Sequence, residues 1–368
     1  MRRVEKEPRR VAPPRGPDAT QDLPARARSP LVGRGPSGDE QAPTPSTGSR
    51  AATVGRVAWV LLVVGLAVGL AVMRTFDGPT LVEQALAAAL AVALAIGLAS
   101  RSGTQVLLFA ALAAVVGVGA VVTQWDPLLA GAALGTGVIA ACLGVVGTRP
   151  APTLRAVALE VVVALLVASC GGLGVAGFAA DLDTERFTYT VLGLAMVATV
   201  ALVYRLGGGL HGLGRRGLIL GAAALVLLLV VLVYTAALTR YGSPELILRV
   251  RSAQQWTRDH LGGVPHPVEV LIGIPALAWG VSLRSRRRQG WWVCAFGVAA
   301  TAVSTSRLLD VGLAPRASAL AAVYSIVLGL LLGFVVIRLE RVLTGRGGRH
   351  AHSEQASRRE PPRLQPLH

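Results

Sequence analysis

Residues 57–73 read VAWVLLVVGLAVGLAVM, and residues 81–99, after the link RTFDGPT, read LVEQALAAALAVALAIGLA. A soluble helix turns one face to water and alternates apolar with polar positions accordingly. The first stretch has no wet face, and the second keeps its polar residues to its opening turn. Each has about the length, near 20 residues at 1.5 Å per residue, that carries a helix across roughly 30 Å of hydrocarbon. In lipid, a helix is the form in which an Ala/Leu/Val segment satisfies its own backbone.

Working outward, the pattern recurs. Apolar runs occupy 57–73, 81–99, 106–123, 127–147, 157–180, 187–204, 218–237, 268–283, 290–306 and 319–337. They predict an all-α, polytopic transmembrane bundle of about ten spans over 57–337, the eighth and ninth being the shortest. With 53% apolar and only 15% charged residues, the composition excludes an ordinary soluble domain.

Charge sets the orientation, because arginine is retained on the cytoplasmic side. With the N-terminus inside, the short inner links hold ten arginines and no acid, whereas the outer links hold eight arginines against ten acids. That asymmetry predicts both termini in the cytoplasm. Trp125, Trp291, Trp292, Tyr189, Tyr204 and Tyr234 stand at run ends, where interfacial anchors belong.

A net charge of +16 would suit nucleic acid, but the basic residues sit in tails and short links. The expected partners are therefore the bilayer and, through the tails, anionic headgroups, with no nucleic acid. Residues 1–56, rich in Pro, Arg, Gly and Ser, and 338–368, basic and proline-containing, predict largely disordered cytoplasmic tails, the second after helix ten has run on past Arg341. Arg2 and Arg3 have no apolar region close behind them, so the first tail is expected to stay on the protein. Lys6 is the one lysine among 36 basic residues, which favours a GC-rich bacterial genome and hence the cell membrane.

One link is patterned. From Ser243 and Pro244, a cap and a first helical position, to Gly262 and Gly263, the residues Leu246, Val250, Ala253, Trp256, Thr257, His260 and Leu261 share a face. This predicts an amphipathic helix over about 243–262 on the outer side, lying flat on the leaflet or docked on the bundle.

Candidate functional residues are few. Glu160 is the one ionisable group well inside a run; it could reach the interface or pair with Arg155 or Arg205, and otherwise has a coupling role. At the outer side, Glu83, Glu269, Arg307 and Asp310 stand at comparable depth, with Thr301, Ser304 and Thr305 extending a polar strip inward and Pro275 kinking the eighth helix. Together they form a candidate outward-facing polar cavity. The alternative is interfacial salt bridging around an ordinary proline kink.

Asp181 and Asp183 superficially resemble a metal-binding acid pair, and His260, His266 and Glu269 contain zinc-ligand types, but at a spacing that matches no standard site. Cys142, Cys170 and Cys294 all lie inside apolar runs, where a thiol behaves as a small hydrophobe. Gly65/Gly69, Gly131/Gly135 and Gly329/Gly333 let helices approach. No phosphate loop, nucleophile elbow or zinc-protease motif is present. No catalytic residue, cofactor or metal is assigned. The leading reading is a permease-like protein moving a small or amphiphilic solute; a non-enzymatic envelope scaffold comes second, and an outer-leaflet enzyme on a lipid-linked substrate third.

Overall fold

A computed structural model of the chain describes residues 47–76, 78–205, 244–286, 290–309, 315–344 and 364–366, with isolated positions between 219 and 233. Contacts separate Met1–Ser49 from Arg50–His368, and the described helices belong almost wholly to the second unit. Among the described residues the regular elements are helical and no strand occurs. In chain order they are α1 (Thr47–Thr75), α2 (Thr80–Ser102), α3 (Val106–Thr123), α4 (Asp126–Val146), α5 (Leu154–Gly177), α6 (Thr184–Arg205) and α7 (Pro244–Leu261). A π turn (Glu269–Gly273) then leads into α8 (Ile274–Arg284), followed by α9 (Gly290–Ala295), α10 (Val298–Ser306), a 3-10 turn (Arg307–Leu309) and α11 (Pro315–Thr344).

Among the described residues, eight helical segments are long and apolar enough to cross a membrane, with α9, α10 and the 3-10 turn counting as one, Gly290–Leu309. The protein is a polytopic helical bundle of the membrane-embedded class. The eighth run of the sequence is present as the π turn continued by α8. Most of the seventh, 218–237, lies outside the described residues.

Burial sorts the helices. Within its apolar window α4 is 67% buried and α3 only 11%, so α4 is central while α3 turns most of its surface outward. The outward residues are themselves apolar, among them Leu107, Leu112, Val115 and Val122, as a helix facing lipid requires. The interior is built from small residues, which gain van der Waals contact by bringing backbones together where lipid offers no hydrophobic drive between helices. A Cβ added to Gly171 of α5 would stand 2.1 Å from the Cβ of Ala140 on α4. Of the three glycine pairs, Gly329/Gly333 packs on Ile274, Pro275 and Ala278, whereas Gly65, Gly131 and Gly135 have nothing within contact distance.

Several boundaries differ from the sequence reading. Helix α1 starts at Thr47, ten residues before the first apolar run, so 47–56 is not disordered tail. The stretch has no proline, and Arg50, Ala51 and Ala52 are good helix formers that offset Gly48 and Gly55, so the helix extends beyond the apolar run. Helix α11 continues seven residues beyond the last apolar run, to Thr344, passing Arg341 as expected. Residues 364–366, read as disordered tail, are placed against the bundle, with Leu364 and Gln365 half-buried.

Candidate functional site

Hydrogen bonds and ion pairs gather the polar groups at two ends of the bundle. One, the Glu269 end, joins Gln84 to Gln124 and to the Phe178 carbonyl, Arg74 to the Leu308 carbonyl, and Glu269 to Arg307. The other, the Arg101 end, joins Arg101, Thr148 and Arg284, with Glu160 on the backbone of Arg149.

At the Glu269 end the backbone itself is unusual. The π turn closes when the Ile274 N–H donates to the Glu269 carbonyl five residues back. Its cause is Pro275, which has no N–H to give and whose ring would collide with the carbonyl of Leu271 in a regular α-helix. Widening one turn relieves that clash. The kink expected at Pro275 is thus absorbed on its N-terminal side, and Glu269 is the first residue of the turn. The extra residue rotates the helix N-terminal to the turn by about 100° relative to the helix beyond it. There is no spare room: a Cβ on Gly273 would lie 2.2 Å from the backbone nitrogen of Ala300.

Glu269 is 1% exposed and forms an ion pair with Arg307, Oε2 to Nη2. Ser304 Oγ lies 3.3 Å from Glu269 Oε1 and 3.0 Å from the Ala300 carbonyl, one hydroxyl proton facing two acceptors. Arg307 Nη1 also donates to the Ser318 carbonyl at 3.4 Å, tying α11 to the pair. Its side chain is 14% exposed, against 1% for that of Glu269, so Arg307 is the more accessible member of the pair.

The other candidates are placed differently. Thr301 and Thr305 are fully buried and hydrogen-bonded to backbone, Thr301 to Ala141 of α4 at 3.0 Å and Thr305 to Ala302 of its own helix at 2.7 Å. Ser304 and Arg307, three apart, form one stripe of the helix, while Thr301 and Thr305, four apart, form another that faces α4 and α5. The packing agrees, with Gly144 meeting Thr301 and Gly172 meeting Thr305. Glu83 is partly exposed; among the described residues no side-chain hydrogen bond or ion pair joins it to Glu269 or Arg307. Asp310 lies outside the described residues.

Close by, the described side chains of α7 are exposed except for the half-buried Thr257, including Leu248 at 64%, Trp256 at 58% and Leu261 at 46%. Its C-terminal end is what holds it. Gly262, at φ +74°, turns the chain, the Leu261 carbonyl accepts from Tyr324 at 2.8 Å, and Gly263 fits against the backbone of Ala317 and Ala321. Six residues after that anchor comes Glu269.

The remaining motifs are accounted for locally. Asp183 caps α6, its Oδ1 accepting from the Arg186 N–H at 2.8 Å, and Asp181 is exposed. His260 stacks on Trp256, with ring centroids 4.6 Å apart, and its Nδ1 is 2.8 Å from the Trp256 carbonyl. No group of three His, Cys, Asp or Glu side chains suited to a metal occurs among the described residues.

The Arg101 end was missed as a site. Arg101 is fully buried and donates to the carbonyls of Val146 and Thr148 at 3.1 and 3.4 Å. Arg284 donates to the same Thr148 carbonyl at 3.1 Å and to its Oγ1 at 2.8 Å, with the ring centroid of Trp291 3.4 Å from its guanidinium carbon. Trp291 is buried, not an interfacial anchor. Glu160, 8% exposed, accepts from the backbone N–H of Arg149 at 2.9 Å, a partner other than the Arg155 or Arg205 that spacing suggested. Two surface grooves, one lined by Met196, Val200, Tyr204 and Trp292 and one by Ala88, Val92, Val118 and Val122, are apolar and contain no charged residue.

Comparison with known proteins finds no family model, no curated protein and no solved structure that matches this chain.

Proposed function

We propose that this integral membrane protein is permease-like and moves a small or amphiphilic solute, with Glu269, Arg307 and Ser304 forming the polar site at its outer end. The carrying observation is a fully buried carboxylate paired with a largely buried guanidinium at a π turn. A buried ion pair is a weak source of stability, because desolvation offsets most of its attraction, and apolar side chains of similar size often do as well. Ionisable groups kept at such depth mark solute or ion pathways by default, and π turns recur at functional sites.

The chemistry narrows the solute. Arg307 presents a planar fork suited to a carboxylate or phosphate, and Glu269 with Ser304 supplies acceptors for an ammonium or hydroxyl. A zwitterionic head that pairs with both members would open it without leaving a bare buried charge. Helix α7 fits an interfacial role, since its exposed Leu248, Trp256 and Leu261 would lie among headgroups and its anchored end leads directly to Glu269. An amphiphile held at that level would approach the site sideways from the leaflet.

Purified protein in proteoliposomes, challenged with a panel of small organic anions, zwitterions and amphiphilic dyes, tests the reading. Flux of at least one panel member is expected, lost in both Glu269→Gln and Arg307→Gln at equal reconstitution. No flux from any member, or flux unchanged in both variants, contradicts it. A second reading has one observation of its own: Arg307 links the π turn to α11 through Ser318, as a structural clamp in a scaffold protein would.

A further inference from the structure

The third donor of Arg101 points to the far end of the chain. While Nε and Nη2 hold the link between α4 and α5, Nη1 donates to the carbonyl of Gln365 at 3.4 Å, across 264 positions of sequence. Leu364 and Gln365 are half-buried and Pro366 is exposed. Proline disfavours the helical conformation in the residue before it, so Pro366 keeps Gln365 out of a helix, where its carbonyl would be engaged along the chain. A neutral carbonyl is an apt partner here. It satisfies a guanidinium N–H without placing another charge in a site that already holds Arg101 and Arg284 on one Thr148 carbonyl.

We infer that the Arg101 end is a docking surface for the chain's own C-terminal segment, Leu364–Gln365–Pro366, which latches over the α2 terminus and the α4–α5 link. The tether favours it. Nineteen residues separate Thr344, the end of α11, from Leu364, and a tether of that length holds its end at an effective concentration in the millimolar range. A contact too weak to form between separate molecules is then populated within one. The latch rests on this contact alone and is independent of the permease reading.

The sequence carries its own reporter, because trypsin cleaving after Arg363 releases the peptide LQPLH. Full-length protein in nanodiscs, digested briefly and followed by mass spectrometry, gives the initial rate of that release, with cleavage after Arg358 in the same tail as internal reference. Leu364→Ser removes the half-buried apolar contact, and Arg101→Met removes the donor. Both should release LQPLH on the order of tenfold faster than wild type relative to the reference cut, about what one charge-assisted hydrogen bond sustains. Equal relative rates in wild type and Leu364→Ser overturn the latch, and that variant decides alone if Arg101→Met does not fold. Acceleration in Leu364→Ser without acceleration in a folded Arg101→Met also overturns it, since the segment would then be seated elsewhere.

Discussion

The two ends of this bundle bury charge by different means. At the Arg101 end, arginines are held by backbone carbonyls of a link, by the Thr148 hydroxyl and by the face of Trp291. At the Glu269 end a carboxylate and a guanidinium hold each other inside the helical packing, on a backbone widened to place them. Carbonyl acceptors hold a cation through neutral groups, whereas the carboxylate of Glu269 also cancels the charge of its partner, at the cost of mutual dependence.

The largest effect that sharpens this contrast is removal of one partner of the pair. Arg307→Leu leaves Glu269 in an apolar surround and should lower unfolding stability by about 3–5 kcal/mol, the usual outcome when a buried pair loses one member. Thermal or denaturant unfolding in nanodiscs measures it. A loss below about 1 kcal/mol, the range of an exposed pair, would mean that the pair is effectively solvated and the contrast false.

A smaller effect is expected at the other end. Trp291→Leu keeps the volume apolar and removes the ring face beneath Arg284, costing about 0.5–2 kcal/mol for a cation–π contact. The same unfolding measurement applies, with Arg284→Met as the second arm of a double-mutant cycle. A coupling energy indistinguishable from zero would show that the Trp291 ring does not help to hold Arg284.

How legible each feature is in the sequence depends on the forces that set it. The span positions are legible because hydrocarbon thickness dictates the length and polarity of 57–73, 81–99 and their successors. Glu269 and Arg307 are legible as candidates because charge near a span is rare, but not their partner. Whether Ser304 or the pair Thr301 and Thr305 faces Glu269 depends on the rotation of α10 and on the π turn, and both are set by tertiary packing. Pro275 announced a disturbance without saying on which side it would be absorbed.

Arg101 and Arg284 were hidden for another reason. The rule that retains arginine on the cytoplasmic side predicts them at the ends of apolar runs, where α2 and α8 end, whether they face water or the interior, so it cannot report burial. The helical start at Thr47 was missed because apolar content marks only the part of a helix that lipid covers. For Glu160, backbone N–H groups are invisible to a search for charged partners, and the N–H of Arg149 is among those it accepts from.

On the permease proposal, Glu269 and Arg307 serve solute handling and not stability. The double variant Glu269→Leu/Arg307→Leu separates the two, because it replaces the pair by apolar side chains that the bundle can pack. Measured in proteoliposomes with a solute that the wild type carries, it should unfold close to the wild-type temperature and show no flux. A double variant that is folded and still carries the solute at the wild-type rate would contradict the account.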